Sequence, residues 1–288
     1  MRTVLSIGVD AVAYGMVLFT ISIGLSIMMG LMRVVNLAHG AFAMIGGYLA
    51  SYALRAMGMN YAVAILLAVV GTILICAPLE FLLYRRIYRK SDALTQLLLT
   101  IGITFFIIGL ANFVFGPTLK PIPLPAALSG PLDIGFRMIP THRMFVIACG
   151  GVTALALWYL LDRTEFGVRL RATVDNSDMA EALGIRTELI YSATFALAVS
   201  LGAFGGVIGA ELLPVEPFYA LRYMVVFLVV VSVGGAGSIL GALSASLLLG
   251  VADTAGKYLA PEYGEFFFYL AVILIVFLFP NGLFGRAH

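Results

Sequence analysis

Ala11-Val-Ala-Tyr-Gly-Met-Val-Leu-Phe-Thr-Ile-Ser-Ile-Gly-Leu-Ser-Ile-Met-Met-Gly-Leu-Met32 holds no charged side chain. At about 1.5 Å per helical residue, a run of this length crosses the roughly 30 Å hydrocarbon core of a bilayer. The pattern recurs: uncharged runs cover 34–54, 56–79, 93–119, 144–161 and 189–210. Residues 223–252 are also uncharged, but Gly234-Gly-Ala-Gly-Ser238 breaks them into spans at about 217–233 and 239–256. The last run, 266–279, starts near Pro261 and ends at Pro280-Asn281-Gly282. The whole chain of 288 residues is 62% hydrophobic and 11% charged, with a mean hydropathy of +1.06. A soluble fold needs more polar surface than this to meet water, so the bilayer is the solvent. Long unbroken runs exclude a β-barrel, whose strands alternate over short segments. The expected fold is all-α: a polytopic transmembrane helical bundle of about 8–9 spans, forming a single domain over 1–288.

The N-terminal run is read as an uncleaved first span. Ala11-Val12-Ala13 has the form of a signal-cleavage site, but another long apolar run follows at once. Net charge is +2, too small to point to nucleic acid. Cys76 and Cys149 both lie in or beside apolar runs, as small packing residues do. Basic residues crowd one side of the spans: Arg33, Arg85, Arg86, Arg89, Lys90, Arg163, Arg169, Arg171, Arg186 and Arg286. That side is expected to be cytoplasmic. Nine spans then put the N-terminus outside and the C-terminus inside. If the first hairpin or the 217–256 hairpin is re-entrant, the count is eight.

Two loops stand out. Residues 116–143, outside, hold six prolines and are expected to be stiff and extended. Residues 163–188, inside, are too polar to span. Within them Ser177 or Asp178 is expected to cap a short helix, with Glu181 in or near its first turn and Gly184 as its stop. Arg169, Arg171, Asp178, Ala180, Glu181, Ala182, Leu183 and Gly184 form either a docking knob for a soluble partner or a connector resting on lipid headgroups. Asn36 and His39 are polar groups at the mouth of an apolar helix, with Asn36 placed to cap it. With Gly40 they are a cap beside an interfacial histidine, or part of a gate. Gly205 and Gly209 form a GxxxG, as do Gly237 and Gly241, and Gly235 lies in the hairpin break. Such glycines serve close helix packing or a hinge.

Other chemistry is missing from the pattern. There is no zinc-type His/Cys cluster among only three histidines, and no buried run of acids for a proton relay. Gly250–Lys257 has the wrong glycine spacing for a phosphate loop, and Tyr258 stands where Ser or Thr is needed. No ATP site is therefore expected in this chain. A secondary transporter would explain the hydropathy equally well, but more naturally shows intramembrane acids or an ion site. An intramembrane enzyme would need a nucleophile–base or metal constellation.

Gly30-Leu-Met-Arg-Val-Val-Asn-Leu-Ala-His-Gly-Ala-Phe-Ala-Met-Ile-Gly-Gly-Tyr48 resembles the signature of branched-chain amino acid ABC transporter permeases. Leu98–Thr104, Gly167–Ala172 through Ala180–Ile185, Val233–Ser238 and Pro280–Gly285 agree in the same order. The resemblance implies a permease in the bacterial inner membrane that pairs with a second, related permease. It implies two cytoplasmic ATP-binding subunits, which use ATP and Mg, and a periplasmic substrate-binding protein; the chain itself carries no cofactor. Ala180–Ile185 resembles the coupling loop of such importers, with Leu183 in place of its second Ala and Gly184 following at once. Closely similar permeases carry urea or short amides.

Overall fold

The structure, a computed structural model, describes residues 2–32, 34–81, 92–133, 138–279 and 282–284. Arg33, Arg85, Arg86, Arg89, Lys90, Arg137, Pro280, Asn281, Gly285 and Arg286 lie outside the described residues. The opening uncharged run forms most of α1 (Arg2–Leu31), the axis of the bundle. In its apolar stretch 78% of residues are buried inside the protein. A helix that is apolar on all sides needs protein on all sides, and small residues let those neighbours come close. A Cβ on Gly15 would meet the Ser246 carbonyl oxygen at 2.9 Å, and one on Gly250 the Ala11 carbonyl oxygen at 2.7 Å.

Around α1 stand α2 (His39–Arg55), α3 (Tyr61–Leu79) and α4 (Ala93–Phe115). Then come α5 (Ala126–Ser129), α6 (Thr141–Arg163), α7 (Glu165–Asp175), α8 (Ser177–Ala182) and α9 (Thr187–Ile208). The chain closes with α10 (Tyr219–Gly234), α11 (Ile239–Leu259), a 3₁₀ turn at Pro261–Tyr263 and α12 (Gly264–Leu278). Asn60, Asp92 and Ser238 start α3, α4 and α11 by accepting from Val63 N, Thr95 N and Gly241 N. Hydrogen bonds from the Thr95 hydroxyl and amide hold the Asp92 carboxyl below the usual carboxylate range. Among the described residues six helices are long and apolar enough to cross a membrane: 7–31, 61–79, 94–115, 141–163, 187–208 and 239–259. Tyr219–Gly234 and Phe266–Leu278 are shorter apolar helices. Large apolar side chains on α4, α6 and α12 point away from the protein, with Phe113 89% exposed. Lipid meets that surface in a spanning bundle.

To the helices the structure adds a small ribbon. β1 (Pro131–Asp133) pairs antiparallel with β2 (Met138–Pro140), Leu132 opposite Ile139. Three residues among prolines leave no alternation to read, so the all-α expectation omitted it. The proline-rich segment is fastened to the bundle. Lys120 N donates to Val215 O, and Ser51 Oγ and Arg55 Nε both donate to Pro121 O. At the same end Arg143 faces Asp10, Lys257 faces Asp253 at 2.7 Å, and His142 faces Glu211 at 2.7 Å. The acids Asp10 and Asp253 are thus paired near helix ends.

Candidate functional site

Helix α2 does not begin where α1 ends. His39 Nε2 lies 2.8 Å from the Ile21 carbonyl oxygen, ten residues or about 15 Å back along α1. Residues 34–38 therefore climb beside α1 as non-helical chain inside the bundle. Val34, Asn36 and Ala38 are 2% exposed or less, and Leu37 is buried with them. Backbone at such depth must find partners within the protein. Val34 N donates to Met28 O, Val35 N to Gln96 Oε1 at 3.3 Å, and Ala38 N to Asn36 Oδ1 at 3.0 Å. Asn36 Nδ2 donates to Met28 Sδ. This corrects the expected cap: Asn36 closes a turn onto Ala38 N instead of capping α2, and among the described residues no side chain caps that helix. It also moves His39 from an interface to the interior, 1% exposed, with its ring edge-on to Phe42.

Glycines make room for this arrangement. A Cβ on Gly24 would meet the His39 ring and the Ala198 carbonyl at 2.7 Å, and one on Gly202 would meet the same ring at 3.3 Å. On α9 the glycines face two ways. Gly205 and Gly209 abut Ile21 and Val17 of α1, whereas Gly202 and Gly206 abut His39 and the Ala43 carbonyl of α2. Gly40 packs on Ala220 at the start of α10. Gly237 and Gly241 are not one seam: Gly237 rests on Gly30 of α1, while Gly241 rests on Gly234 of α10. Gly235 and Gly237 take φ of 90° and 83°, the left-handed region that turns α10 into α11. Gly237 N donates to Ser26 O and Oγ, which ties this turn to the same stretch of α1. The last described residues cap α10, as Leu283 N and Phe284 N donate to Val233 O and Gly234 O.

Outside the bundle, α7 and α8 form a bent projection between α6 and α9. A Cβ on Gly167 would strike the Leu161 carbonyl, so only glycine allows the reversal there. Arg171 Nη1 donates to Leu161 O at 2.6 Å, placing a cation at the C-terminal end of α6. Arg169 pairs with Glu165 at 2.6 Å. The cap of α8 is Asn176, not Ser177 or Asp178: its Oδ1 accepts from Met179 N at 2.9 Å. Asp178 is the acid of the first turn, and Glu181 lies near the other end, accepting from Thr187 Oγ1. Gly184 N donates to Glu181 O and Ile185 N to Ala180 O, with Gly184 at φ 84°. This is a Schellman stop. Ala180 is buried under the helix, whereas Asp178, Met179, Glu181, Ala182, Leu183 and Gly184 are exposed, Leu183 by 75%.

Asn36, His39, Gly205, Gly209 and Gly237 thus gather around α1, from Val17 to Gly30, with Gly40 against α10 and Gly235 in the turn next to Gly237. The projection is a separate place, formed by Arg169, Arg171 and the residues of α8. Gly202 and Gly206, like Gly205 and Gly209, are glycines the sequence already grouped in one span, whereas Gln96, Gly24, Asn176 and Thr187 belong to these two places and were not singled out in the sequence. Gln96 was findable, as an amide near the start of an otherwise apolar helix needs a partner. Among the described residues no group of three or more His, Cys, Asp or Glu is placed to hold a metal ion.

A broken-helix core of glycine seams, with a capped helix projecting at one end, defines a multi-pass α-helical membrane protein of transporter type. The chain belongs to the family "branched-chain amino acid transport system / permease component", whose model matches residues 8–276. It is 27% identical to the high-affinity branched-chain amino acid transport system permease protein LivH of Salmonella typhimurium, over 96% of this chain and 94% of that protein. It is 25% identical to the corresponding permease protein BraD of Pseudomonas aeruginosa, with the same coverage of both chains. PsaBC from Streptococcus pneumoniae, solved in complex with Fab, is similar at a TM-score of 0.49 and 14% identity, over 98% of this chain and 92% of that one.

Proposed function

We propose that this chain is the membrane permease of an ATP-binding cassette importer and forms the translocation path for branched-chain amino acids. The family match over 8–276 carries this reading. The chain works in the bacterial inner membrane beside a second, related permease. A periplasmic binding protein delivers substrate, and two cytoplasmic ATP-binding subunits hydrolyse ATP with Mg. The end bearing Arg163, Arg169, Arg171 and Arg186 faces the cytoplasm. Nine helices lie in the membrane, and α2 starts part-way through it, so its first turn sits where a transported solute passes.

The exposed face of α8 seats in the ATP-binding subunits, and its stop at Gly184 fixes its length. Movement of those subunits reaches the bundle through Ala180, Glu181–Thr187 and the start of α9. The glycine seams around α1 let α2, α9 and the Gly235–Gly237 turn shift against one another, with Asn36, His39 and Gly40 at the gate.

Uptake by the assembled complex in proteoliposomes tests the function. ATP-dependent entry of leucine, isoleucine or valine is expected, and the chain alone hydrolyses no ATP. Urea displacing the transported label while leucine does not would replace the substrate assignment. Ion-driven uptake by the chain alone would remove the importer reading.

A further inference from the structure

Glu80 follows α3 directly and is 6% exposed, although its carboxylate lies beside apolar helices. Ser192 Oγ of α9 donates to it at 3.0 Å, and among the described residues this is its hydrogen bond. An ionised carboxylate offers about four lone-pair sites, so one hydroxyl leaves most of them open. Beside it lies a small recess of about 90 Å³ between α3 and α9. Ile73 and Ala77 line it from α3, and Phe195, Ala196 and Val199 from α9. Ile73, Ala77 and Glu80 share a helix face, as do Ser192, Phe195 and Val199. The recess therefore runs about 10 Å along both helices. The acid stands at the end nearer α7 and α8, and the apolar walls extend toward the middle of the bundle.

We propose that this recess binds a primary ammonium group carrying an apolar chain, with Glu80 as the anchor of the ammonium. A buried acid in a membrane bundle marks a site for a positive partner, and an ammonium supplies three N–H donors to the open lone pairs. The apolar walls take a chain running along the membrane normal. Two sources offer that chemistry: an ethanolamine phospholipid with its head at the membrane surface, and an aliphatic amino acid with its side chain in the slot. Choline lipids do not, because a quaternary ammonium has no N–H to donate.

The test uses the full-length chain in nanodiscs of mixed phosphatidylethanolamine and phosphatidylcholine, with retained lipids counted by native mass spectrometry. Labelled leucine binding is measured in nanodiscs of phosphatidylcholine alone. Glu80→Gln keeps an acceptor for Ser192 but removes the charge, and Ser192→Ala keeps the charge but removes the hydroxyl. Retention of the ethanolamine lipid about fivefold over the choline lipid, lost in Glu80→Gln and kept in Ser192→Ala, assigns the lipid. Leucine binding with the same variant pattern assigns the amino acid. Absence of both signals in the parent chain overturns the proposal, as does survival of either signal in Glu80→Gln. Transport is not the readout, so failure here leaves the permease reading standing.

Discussion

At Gly206 the side chain is a hydrogen atom because the Ala43 carbonyl stands where a Cβ would be. Glycine is the least favourable non-proline residue for a helix interior, by about 1 kcal/mol against alanine, so its presence there answers a packing demand. Gly206→Val is expected to remove about 3 kcal/mol or more of stability, because backbone lies in the way and cannot swing aside. Gly8→Ala, where nothing lies within 4 Å, is the matched control. Membrane abundance and thermal midpoint in detergent are the measurements, and equal midpoints for both variants would refute the seam. Gln96 makes a second case. Its Oε1 satisfies the Val35 amide in buried non-helical chain, and Gln96→Met strands that donor. A loss of about 1–3 kcal/mol is expected, read as a lower thermal midpoint. An unchanged midpoint would mean that the amide has another acceptor.

Among the elements, α8 gives the cleanest test of coupling. It is six residues long, too short to persist alone, and is held by Asn176 at one end, Gly184 at the other and buried Ala180 beneath. Ala182 is exposed and makes none of these bonds. Ala182→Arg therefore leaves the fold intact and adds bulk only to the outer face. Loss of ATP-dependent uptake at normal membrane abundance is expected, with weaker co-purification of the ATP-binding subunits. A docking misfit of this kind is of the order of a few kcal/mol. Normal transport by this variant would leave α8 as a connector resting on headgroups. Glu181→Lys is less clean, because it also breaks the bond to Thr187. The two expectations for this helix that moved, its cap and the place of Glu181, moved for one reason. Asn, Ser and Asp are consecutive at 176–178, all good caps, and only the backbone path selects among them.

For the whole molecule, the projection and the proline-rich segment sit at opposite ends of the bundle. Single cysteines at Asp175 and Ala127, both exposed, in a background lacking Cys76 and Cys149, are expected to label from opposite sides of the membrane, Asp175 from the cytoplasm. Labelling of Asp175 from the periplasm would invert the orientation. Composition and uncharged runs were enough to read a helical membrane bundle, because the bilayer forbids unpaired backbone and leaves helices as the solution for long apolar runs. Each run corresponds to a helix, and Gly184 reads as a stop because few residues but glycine take that φ. Local sequence did not reveal that Asn36 and His39 lie deep inside, or that α9 carries two glycine seams. Nor did it reveal that Glu80 faces an apolar recess. Hydropathy records how far a residue is from water, and in a membrane protein it does not separate a lipid neighbour from a protein one. Which face of a helix meets which neighbour is a long-range choice, made by the close approach of backbones at Gly24, Gly30, Gly206 and Gly237, and only the folded chain decides it.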